Sequence, residues 1–337
     1  MQRLSVCKWR PLLLFIVLIV GVLLILHFWS MKIADNNGLA AWSRTLQLIE
    51  DDMSSSQTQS NHCGCTVLVR RDAKWQDKKL GCPRKDTTVR VYLKTPAGSV
   101  PMYVYPKITD IWVSKSIIEK NEWEPKLTKI VTDIMSRDVT LDFLDVGSNV
   151  GAYTMTLAKM GRRVTAIEAL PLTAKLLCKS VQDAKFPKPV PVIINNVLSN
   201  KRSQFLFRFD PNNIGGTYVV ESENKSAILK NAVDSILLDD VLEIFRPKNL
   251  FIKMDTQRHE LKILEGAKQF FRDVNVKYIL MEMMFITKDD FVRASQVIQF
   301  LTNQNMNPFM PNNLDVPVDS DILIKSTREQ NILWKKS

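Results

Sequence analysis

The segment Asp145-Val146-Gly147-Ser148-Asn149-Val150-Gly151 combines an acid, an amide and two glycines in a pattern that points directly to chemistry. It follows the apolar run Leu141 to Val146 and precedes Ala152 to Met160, whose apolar residues have helical spacing. Gly147 and Gly151 allow a tight turn and the close approach of a ligand, and the helix N-terminus offers unpaired N–H groups. Strand, glycine turn and helix in this order predict a nucleoside cofactor site.

A second acid, Glu168, ends the next apolar run, Val164 to Ile167. This is where a βαβ unit presents a carboxylate to the two hydroxyls of a ribose. The spacing alone does not separate a dinucleotide from S-adenosylmethionine. Asp145 does, because a carboxylate that opens the turn suits the cationic methionine end of S-adenosylmethionine and would repel a pyrophosphate. We therefore predict S-adenosylmethionine as the cofactor.

A second group of chemically capable residues follows the apolar run Leu250 to Met254. Asp255 ends this predicted strand, and His259 and Glu260 come about one helical turn later, so the three could converge on one pocket. Methylation of a hydroxyl needs a base, or a metal that acidifies the hydroxyl, and alignment with the methyl donor. Asp255, with His259 or Glu282 as its partner, could serve, although Asp255 could also simply cap the helix.

Strand-like runs that alternate with helical stretches predict an α/β fold with a mostly parallel sheet. Ligands of such sheets lie beyond the carboxyl ends of the strands, which selects Asp145, Glu168, Asp255 and Glu282, and also Asn195 or Asn196 as a reader of the adenine amino group. The further predicted strands are Val190 to Asn195, Phe205 to Arg208, Val276 to Glu282, Ile322 to Lys325 and Ile332 to Lys335.

The N-terminus predicts a membrane anchor. Residues 11–29 include the almost unbroken apolar run Leu12 to Trp29, which is long enough to cross a bilayer. Arg3, Lys8 and Arg10 precede it, so residues 1–10 are expected in the cytosol and the rest of the chain in a lumen or outside the cell. A cleaved signal peptide is the competing interpretation, but the bulky residues 27–32 after the apolar run do not resemble a cleavage site.

Residues 30–86 are polar and predict a lumenal stem, with the compact domain at 87–337. Cys63, Cys65 and Cys82 lie in the stem, and we expect a disulfide from Cys82 to Cys63 or Cys65, with the remaining thiol free to link a dimer. Cys178 is interpreted as a buried apolar residue. No metal site is predicted, because Cys-x-Cys is not the usual zinc spacing.

Charge and modification motifs agree with a lumenal domain. The chain of 337 residues has a formal net charge of +11, spread along its length without a basic arm, so no nucleic-acid partner is predicted. Such diffuse charge is typical of a solvated surface or of affinity for acidic glycans and membranes. Asn224-Lys225-Ser226 is an acceptor pattern for N-glycosylation.

Several motifs together resemble the FkbM family of S-adenosylmethionine-dependent methyltransferases, over roughly Arg90 to Trp334. The resemblance implies the class I, Rossmann-like methyltransferase fold with a seven-stranded sheet, and a cofactor site made by Asp145, Gly147, Asn149, Gly151 and Glu168. The segments that carry it are Asp145 to Gly151 (D-x-G-x-N-x-G), Ile167 to Pro171, Asn195 to Asn200, Leu238-Asp239-Asp240, and Lys253-Met254-Asp255 with Glu260, Leu264 and Gly266-Ala267.

One departure falls at the site. The family usually has Glu-Gly where this sequence has Gln257-Arg258, which removes a carboxylate and places a cation beside the acceptor pocket. We expect Gln257, Arg258 and Glu260 to contact the acceptor. With the anchor and stem, the resemblance implies a Golgi O-methyltransferase that acts on a glycan hydroxyl of fucose or a hexose. The alternatives are a non-catalytic, membrane-anchored glycan-binding protein and a methyltransferase of small molecules or lipids on the cytosolic side.

Overall fold

The structure, a computed structural model, is built on a nine-stranded sheet. It describes residues 64–83, 87–210, 213–221, 232–319, 323 and 330–337. All of them belong to the unit Ile49–Ser337, one of two into which the chain divides. The strands follow one another in the sheet in this order: β14 (Met306–Phe309), β15 (Gln330–Lys336), β13 (Asn275–Met283), β12 (Asn249–Met254), β5 (Leu141–Val146), β6 (Val164–Ile167), β7 (Val192–Ile194), β1 (Val67–Arg71) and β2 (Lys74–Asp77). The strands from β13 across to β1 run parallel, whereas β15 is antiparallel to both of its neighbours and β2 is antiparallel to β1.

The strands and helices have the following bounds. The strands are β1 (Val67–Arg71), β2 (Lys74–Asp77), β3 (Val89–Leu93), β4 (Val100–Val104), β5 (Leu141–Val146), β6 (Val164–Ile167), β7 (Val192–Ile194), β8 (Val197–Leu198), β9 (Gln204–Asp210), β10 (Asn213–Glu221), β11 (Val233–Ile236), β12 (Asn249–Met254), β13 (Asn275–Met283), β14 (Met306–Phe309) and β15 (Gln330–Lys336). The helices are α1 (Val113–Lys120), α2 (Pro125–Arg137), α3 (Ala152–Lys159), α4 (Pro171–Ala184), α5 (Glu260–Glu265), α6 (Lys268–Asp273) and α7 (Lys288–Asn303), with a 3-10 helix at Leu238–Glu243.

The α/β class with a mostly parallel sheet is confirmed, but the strand count needs correction. Seven strands were expected, and two N-terminal strands, β1 and β2, extend the sheet beyond β7. Phe205 to Arg208 forms a strand, but β9 belongs to a separate four-stranded sheet with β8, β10 and β11. The edge strand β14 was not predicted, because it is short and contains Pro308, which only an edge strand tolerates. The predicted strand Ile322 to Lys325 lies outside the described residues except for Leu323.

The first described strand corrects the predicted domain boundary. The polar segment assigned to the stem extended to residue 86, yet β1 pairs in parallel with β7 and β2 closes the edge of the sheet. Val67 and Val69 are buried in spite of the polar residues around them. The compact domain therefore begins well before Thr87. A five-residue strand among polar neighbours carries too short an apolar pattern to be recognised from the sequence.

A disulfide fastens this N-terminal edge to the rest of the domain. Cys65 bonds to Cys178 of α4, with 5.6 Å between the Cα atoms, so the interpretation of Cys178 as an unpaired apolar residue is wrong. Cys82 is also in a disulfide, as predicted. Of its two expected partners, Cys65 is occupied, and Cys63 lies outside the described residues.

Replacing Cys65 with serine should lower the free energy of unfolding by about 2 to 4 kcal/mol. The bond closes a loop with a sequence separation of 113 residues, so breaking it restores much conformational freedom to the unfolded chain. Chemical denaturation of the full chain measures the effect. The double variant with Cys178→Ala should cost about as much as Cys65→Ser alone, and equal stability of Cys65→Ser and the wild type would contradict the prediction.

Alternation along the central strands places the site residues. Leu144 and Val146 of β5 pack on one face of the sheet with Ile252 and Met254 of β12, while Phe251 packs on the other. The same alternation puts Lys253 on the face that carries α3. Its Nζ atom lies 5.5 Å from the ring centroid of Tyr153.

Among the residues described, no helix combines the length and apolar character that a membrane crossing requires. The predicted anchor, Leu12 to Trp29, lies outside those residues.

Candidate active site

The glycine turn after β5 is closed tightly against its neighbours. Gly147 has φ +74°, and a Cβ atom placed there would come within 1.9 Å of the carbonyl oxygen of Asp255. Gly151 begins α3 with φ +90°, where a Cβ atom would lie 2.2 Å from Leu177. Only glycine fits both the left-handed backbone and the packing at these positions. The turn between them therefore lies directly beside the loop after β12.

Asp145 stabilises this turn through hydrogen bonds to α3, and it does not line the cavity beside the turn. One carboxylate oxygen, Oδ2, accepts hydrogen bonds from the backbone N–H of Thr154 at 3.0 Å and from its hydroxyl at 2.6 Å. Burial raises the pKa of Asp145 to about 6. Asp145 therefore links β5 to α3, whereas the sequence predicted that it contacts the methionine end of the cofactor.

Glu168 faces the turn as predicted. Its Oε2 accepts a 2.8 Å hydrogen bond from the backbone N–H of Asn149, and its Oε1 accepts one of 2.8 Å from Leu170. Burial raises the pKa of Glu168 to about 7. Each carboxylate oxygen can accept more than one hydrogen bond, so both retain capacity for a diol. The side chain of Asn149, a residue with φ +52°, caps its own turn by accepting from Val150 N–H.

The two asparagines expected to read adenine are used for structure instead. Asn195 donates to the backbone carbonyls of Glu168 and Ala169, and its own carbonyl accepts from the Lys78 ammonium. The side-chain oxygen of Asn196 accepts from the backbone N–H of Arg70, and its amide donates to the backbone carbonyls of Arg70 and Asp234. Their side chains fix the loop that carries Glu168 and the strand β1. Asn195 is buried and does not line the cavity, whereas Asn196 forms part of its wall, and the adenine role stays a prediction.

A cavity of about 760 Å³ lies beyond the carboxyl ends of β5, β6 and β12. Its floor includes Gly147, Asn149, Glu168 and Asp255, and the hairpin of β9 and β10 covers it through Phe207, Ile214, Gly215 and Tyr218. A Cβ atom on Gly215 would lie 2.8 Å from the Asn149 side chain, so this hairpin rests on the turn. The pairing of β10 with β9 is interrupted between Asn213 and Tyr218, and within that interval Ile214, Gly215 and Thr217 line the cavity.

A cluster of four polar residues stands where β12 and β13 end. Lys253 is buried, and its ammonium lies 3.1 Å from Oδ2 of Asp255. The amide of Gln257 donates to Oδ1 of Asp255 at 3.1 Å and to Glu282 at 3.3 Å. Burial opposes the charge on Asp255, but attraction to Lys253 and the hydrogen bonds around it keep its pKa below the usual range. The predicted pair of Asp255 and Glu282 is thus brought together in the structure.

The remaining predicted residues diverge from this cluster. His259 lines the cavity, its Nε2 lies 3.2 Å from the hydroxyl of Ser199, and burial lowers its pKa to about 4, so the ring is neutral near neutral pH. Glu260 closes the loop after β12 by accepting from the N–H and the hydroxyl of Thr256. Arg258 turns away to Asp290, at 3.2 Å. Asp255 and His259 thus line one cavity as expected, whereas Glu260 is bonded to Thr256 and lines a second cavity.

The sequence interpretation did not assign a role to Lys253 or to the covering hairpin. Lys253 could have been found from its position, since residues two apart in a strand share a face and Lys253 precedes Asp255 by two. The hairpin had no such signal, because β9 and β10 contact the cavity only through the tertiary fold.

The strand order and the cavity define the class of the protein. Between β7 and β14 the sheet has the order β7-β6-β5-β12-β13-β15-β14, and β15 is antiparallel to both β13 and β14. This is the strand arrangement of class I methyltransferases. The cofactor of this class is S-adenosylmethionine, and the residues of the turn fit it. A Cβ atom at Gly147 or Gly151 would fill the space that the turn leaves. The buried hydroxyl of Ser148, within the turn, has no hydrogen-bond partner among the described residues.

Comparison with known proteins agrees with this class. The Methyltransferase FkbM domain family matches residues 145–307. No curated protein matches the sequence. Among solved structures, the chain is similar to a 16S rRNA methyltransferase from T. Thermophilus, at 11% identity and TM-score 0.39, covering 81% of this chain and 58% of that one.

Another similar structure is magnesium protoporphyrin IX methyltransferase from Synechocystis PCC 6803 with bound S-adenosylmethionine, at 8% identity and TM-score 0.34, covering 63% and 81% of the two chains. A third is the glycopeptide N-methyltransferase MtfA, at 10% identity and TM-score 0.31, covering 62% and 87%. The chain thus spans little more than half of the first of these structures.

Proposed function

We propose that this protein transfers the methyl group of S-adenosylmethionine to a hydroxyl of a glycan. The observation that supports it best is the contact between the cofactor turn and the residue after β12. Gly147 packs on the carbonyl of Asp255, and the cavity reaches both Glu168 and Asp255. Because Asp255 lines the same cavity as the glycine turn, its carboxylate is placed to receive the proton that a hydroxyl loses when it is methylated.

In the proposed reaction, the bound cofactor supplies a methyl group on a cationic sulfur. Glu168 accepts hydrogen bonds from the ribose hydroxyls, and the glycine turn admits the rest of the donor. Asp255 accepts the proton of the acceptor hydroxyl. Lys253 and Gln257 each hold one oxygen of Asp255, so the carboxylate is fixed in orientation and stays ionised near neutral pH. The covering hairpin limits access of water to the cavity.

The acceptor and compartment are part of the same proposal. A disulfide between Cys65 and Cys178 and a second one at Cys82 suit an oxidising compartment. The apolar run Leu12 to Trp29 and the acceptor pattern at Asn224 suit a type II Golgi membrane protein with a lumenal domain. A glycan is the substrate class that such an enzyme meets, and the diffuse positive charge is compatible with acidic glycans.

Donor affinity should rise with pH through about 7. Glu168 accepts two hydroxyl protons only when ionised, and its pKa of about 7 leaves it largely protonated at pH 6. Between pH 6 and pH 8 the affinity for adenosine should rise about tenfold, as linkage of one ionisation requires. Adenosine is the probe because it lacks the titrating amine of the full cofactor. Calorimetry with the full chain in detergent measures the change.

Glu168→Gln is the control for that experiment. It should bind adenosine weakly and with little dependence on pH, because the titrating group is gone. A rise in affinity that persists in Glu168→Gln, or an affinity that falls with pH in the wild type, would exclude Glu168 as the ribose ligand.

The test of the proposed activity is transfer of isotope from labelled S-adenosylmethionine to a pool of glycans by the full chain. Incorporation that survives protease digestion and is released with the sugars supports O-methylation of a glycan. Donor binding without incorporation would favour the second candidate, a non-catalytic glycan-binding protein. That candidate has one observation in its favour, which is the replacement of the family's Glu-Gly by Gln257-Arg258.

A further inference from the structure

A second cavity, open to solvent, adjoins the carboxylate cluster because Glu282 forms part of its wall. Arg258 lines it from the loop after β12, and Asp290 and Arg293 line it from α7. Met283 and Met284 contribute apolar surface. Gln257 and Asp255 line the cofactor cavity, and the Gln257 amide is bonded to Glu282, so the two cavities meet at this cluster. An acceptor that reaches Asp255 thus has this cavity beside it.

Arg258 is held in this wall at a cost in backbone energy. Its φ is +75°, in the left-handed region that glycine adopts readily and an arginine adopts only with strain. Gln257 before it has φ +53°. The side chain is fixed at its Nε, which lies 3.2 Å from both Oδ1 of Asp290 and the sulfur of Met284. Strain that persists in one conformation beside a site points to a function for the residue.

The charges of the wall leave cationic groups unpaired. Arg258 and Arg293 share a single oxygen, Oδ1 of Asp290, whose other oxygen accepts from the backbone N–H of Thr287. Within the described part of the chain, no acceptor is bonded to the two terminal amino groups of Arg258. The side chain of Arg258 is 46% exposed, so these amino groups are accessible.

The other carboxylates of this cavity are engaged elsewhere. Glu260 accepts two hydrogen bonds from Thr256, and burial raises its pKa. Glu282 accepts from Gln257 and lies near the Lys253 ammonium, whose pKa its charge helps to raise. The wall therefore carries two guanidinium groups and three carboxylates, and among the described residues the bonds of Arg258 are made only through its Nε.

From this arrangement we propose that the second cavity binds an oxyanion of the acceptor, a carboxylate or a sulfate ester of an acidic sugar. The planar guanidinium of Arg258 would bind it through its two terminal amino groups, the geometry that suits carboxylates and sulfates. The methionine surface accommodates the sugar ring that carries the charge. This inference rests on the proposed function, which it narrows from glycans in general to acidic glycans.

The experiment compares matched acceptors on the full chain in detergent with S-adenosylhomocysteine present. The first probe is a disaccharide that contains glucuronate, and the second is the same disaccharide with its carboxyl group reduced to an alcohol. The third is this reduced disaccharide carrying a sulfate ester. Calorimetry should give at least tenfold tighter binding of the two anionic forms than of the neutral form. A preference for only one of them identifies the carboxylate or the sulfate as the anion.

Two substitutions of Arg258 separate the charge from the fold. Arg258→Gly relieves the positive φ and removes the guanidinium, so it should keep the thermal midpoint of the wild type or raise it, while the preference for the anionic disaccharides is lost. Arg258→Lys should retain part of that preference. The control Arg272→Gln removes an exposed arginine of α6 and should leave the preference unchanged.

Equal binding of charged and neutral disaccharides, absence of binding of all three, or a preference that survives Arg258→Gly would overturn the inference. The proposed activity has a separate measurement, which is isotope transfer from the donor. Transfer to the neutral disaccharide without anionic preference would reject the oxyanion site and keep the methyltransferase. Anionic preference without any transfer would keep the oxyanion site and reject the catalytic proposal.

Discussion

Replacing Gly147 with alanine is expected to abolish methyl transfer and donor binding together. The added Cβ atom would lie 1.9 Å from the carbonyl oxygen of Asp255, a backbone atom that cannot rotate away. The turn and the loop after β12 must then separate. A displacement on the order of 1 Å at a reacting centre costs about 100-fold in rate, and here both the donor site and the base are moved.

Stability should fall as well, for two separable reasons. An alanine at φ +74° costs about 1 to 2 kcal/mol, and forcing the two backbones apart adds about 1 to 3 kcal/mol. Gly161→Ala is the matched control, because Gly161 has φ +77° and no atom within 4 Å of the added Cβ. It should show the backbone cost alone and keep donor binding.

Calorimetric titration with S-adenosylmethionine and chemical denaturation of the full chain measure the two effects. If Gly147→Ala binds the donor as the wild type does, the turn is not the cofactor site. If Gly161→Ala loses as much stability as Gly147→Ala, the close contact with Asp255 is not what makes the glycine necessary.

Asp255→Asn is expected to reduce methyl transfer by about 100- to 10,000-fold while donor binding changes little. Asparagine has nearly the shape of aspartate and still offers an oxygen to Lys253, but it has no carboxylate to receive the hydroxyl proton. The loss should appear in kcat rather than in the affinity for donor, because Glu168, the proposed ribose ligand, is untouched.

Two further variants show whether the effect belongs to this carboxylate. Glu282→Gln should reduce the rate less, since Glu282 lines the second cavity and not the cofactor cavity. Asp273→Asn, at the exposed end of α6, should have no effect. Single-turnover transfer of labelled methyl is the measurement. Full turnover by Asp255→Asn, or a larger loss in Glu282→Gln, would show that Asp255 is not the base.

Local pattern was sufficient for the elements that carry the cofactor site. The strand β5 occupies Leu141–Val146 as predicted, α3 begins at Ala152, and Glu168 faces the turn. These features follow from short-range rules, because a glycine turn after a buried strand has few conformations and consecutive parallel strands end at the same edge. The surroundings of Asn195 could not be predicted in the same way, since hydrogen bonds to Glu168 and Lys78, distant in sequence, determine what its polar atoms do.

The chemistry of the ionisable residues depended on burial, which residue spacing does not reveal. His259 was a candidate partner of Asp255 by position, yet its Nε2 is bonded to Ser199 and burial keeps its ring neutral by lowering its pKa to about 4. Asp255 has the buried Lys253 beside it, which keeps the carboxylate ionised. The disulfide of Cys178 was also missed, because its partner Cys65 is brought to α4 by the strand β1, which the sequence did not reveal.

The sequence by itself determined the fold class, the glycine turn, Glu168 and the residues that end β12 and β13, because strand periodicity and turn chemistry are local properties of the chain. Only the tertiary structure decided which of those residues act together. Gln257 meets both Asp255 and Glu282, Arg258 turns to Asp290 on α7, and the hairpin of β9 and β10 closes over the cavity. Each of these contacts joins segments from different parts of the fold, and their energies depend on burial and charge that arise only when the sheet is assembled.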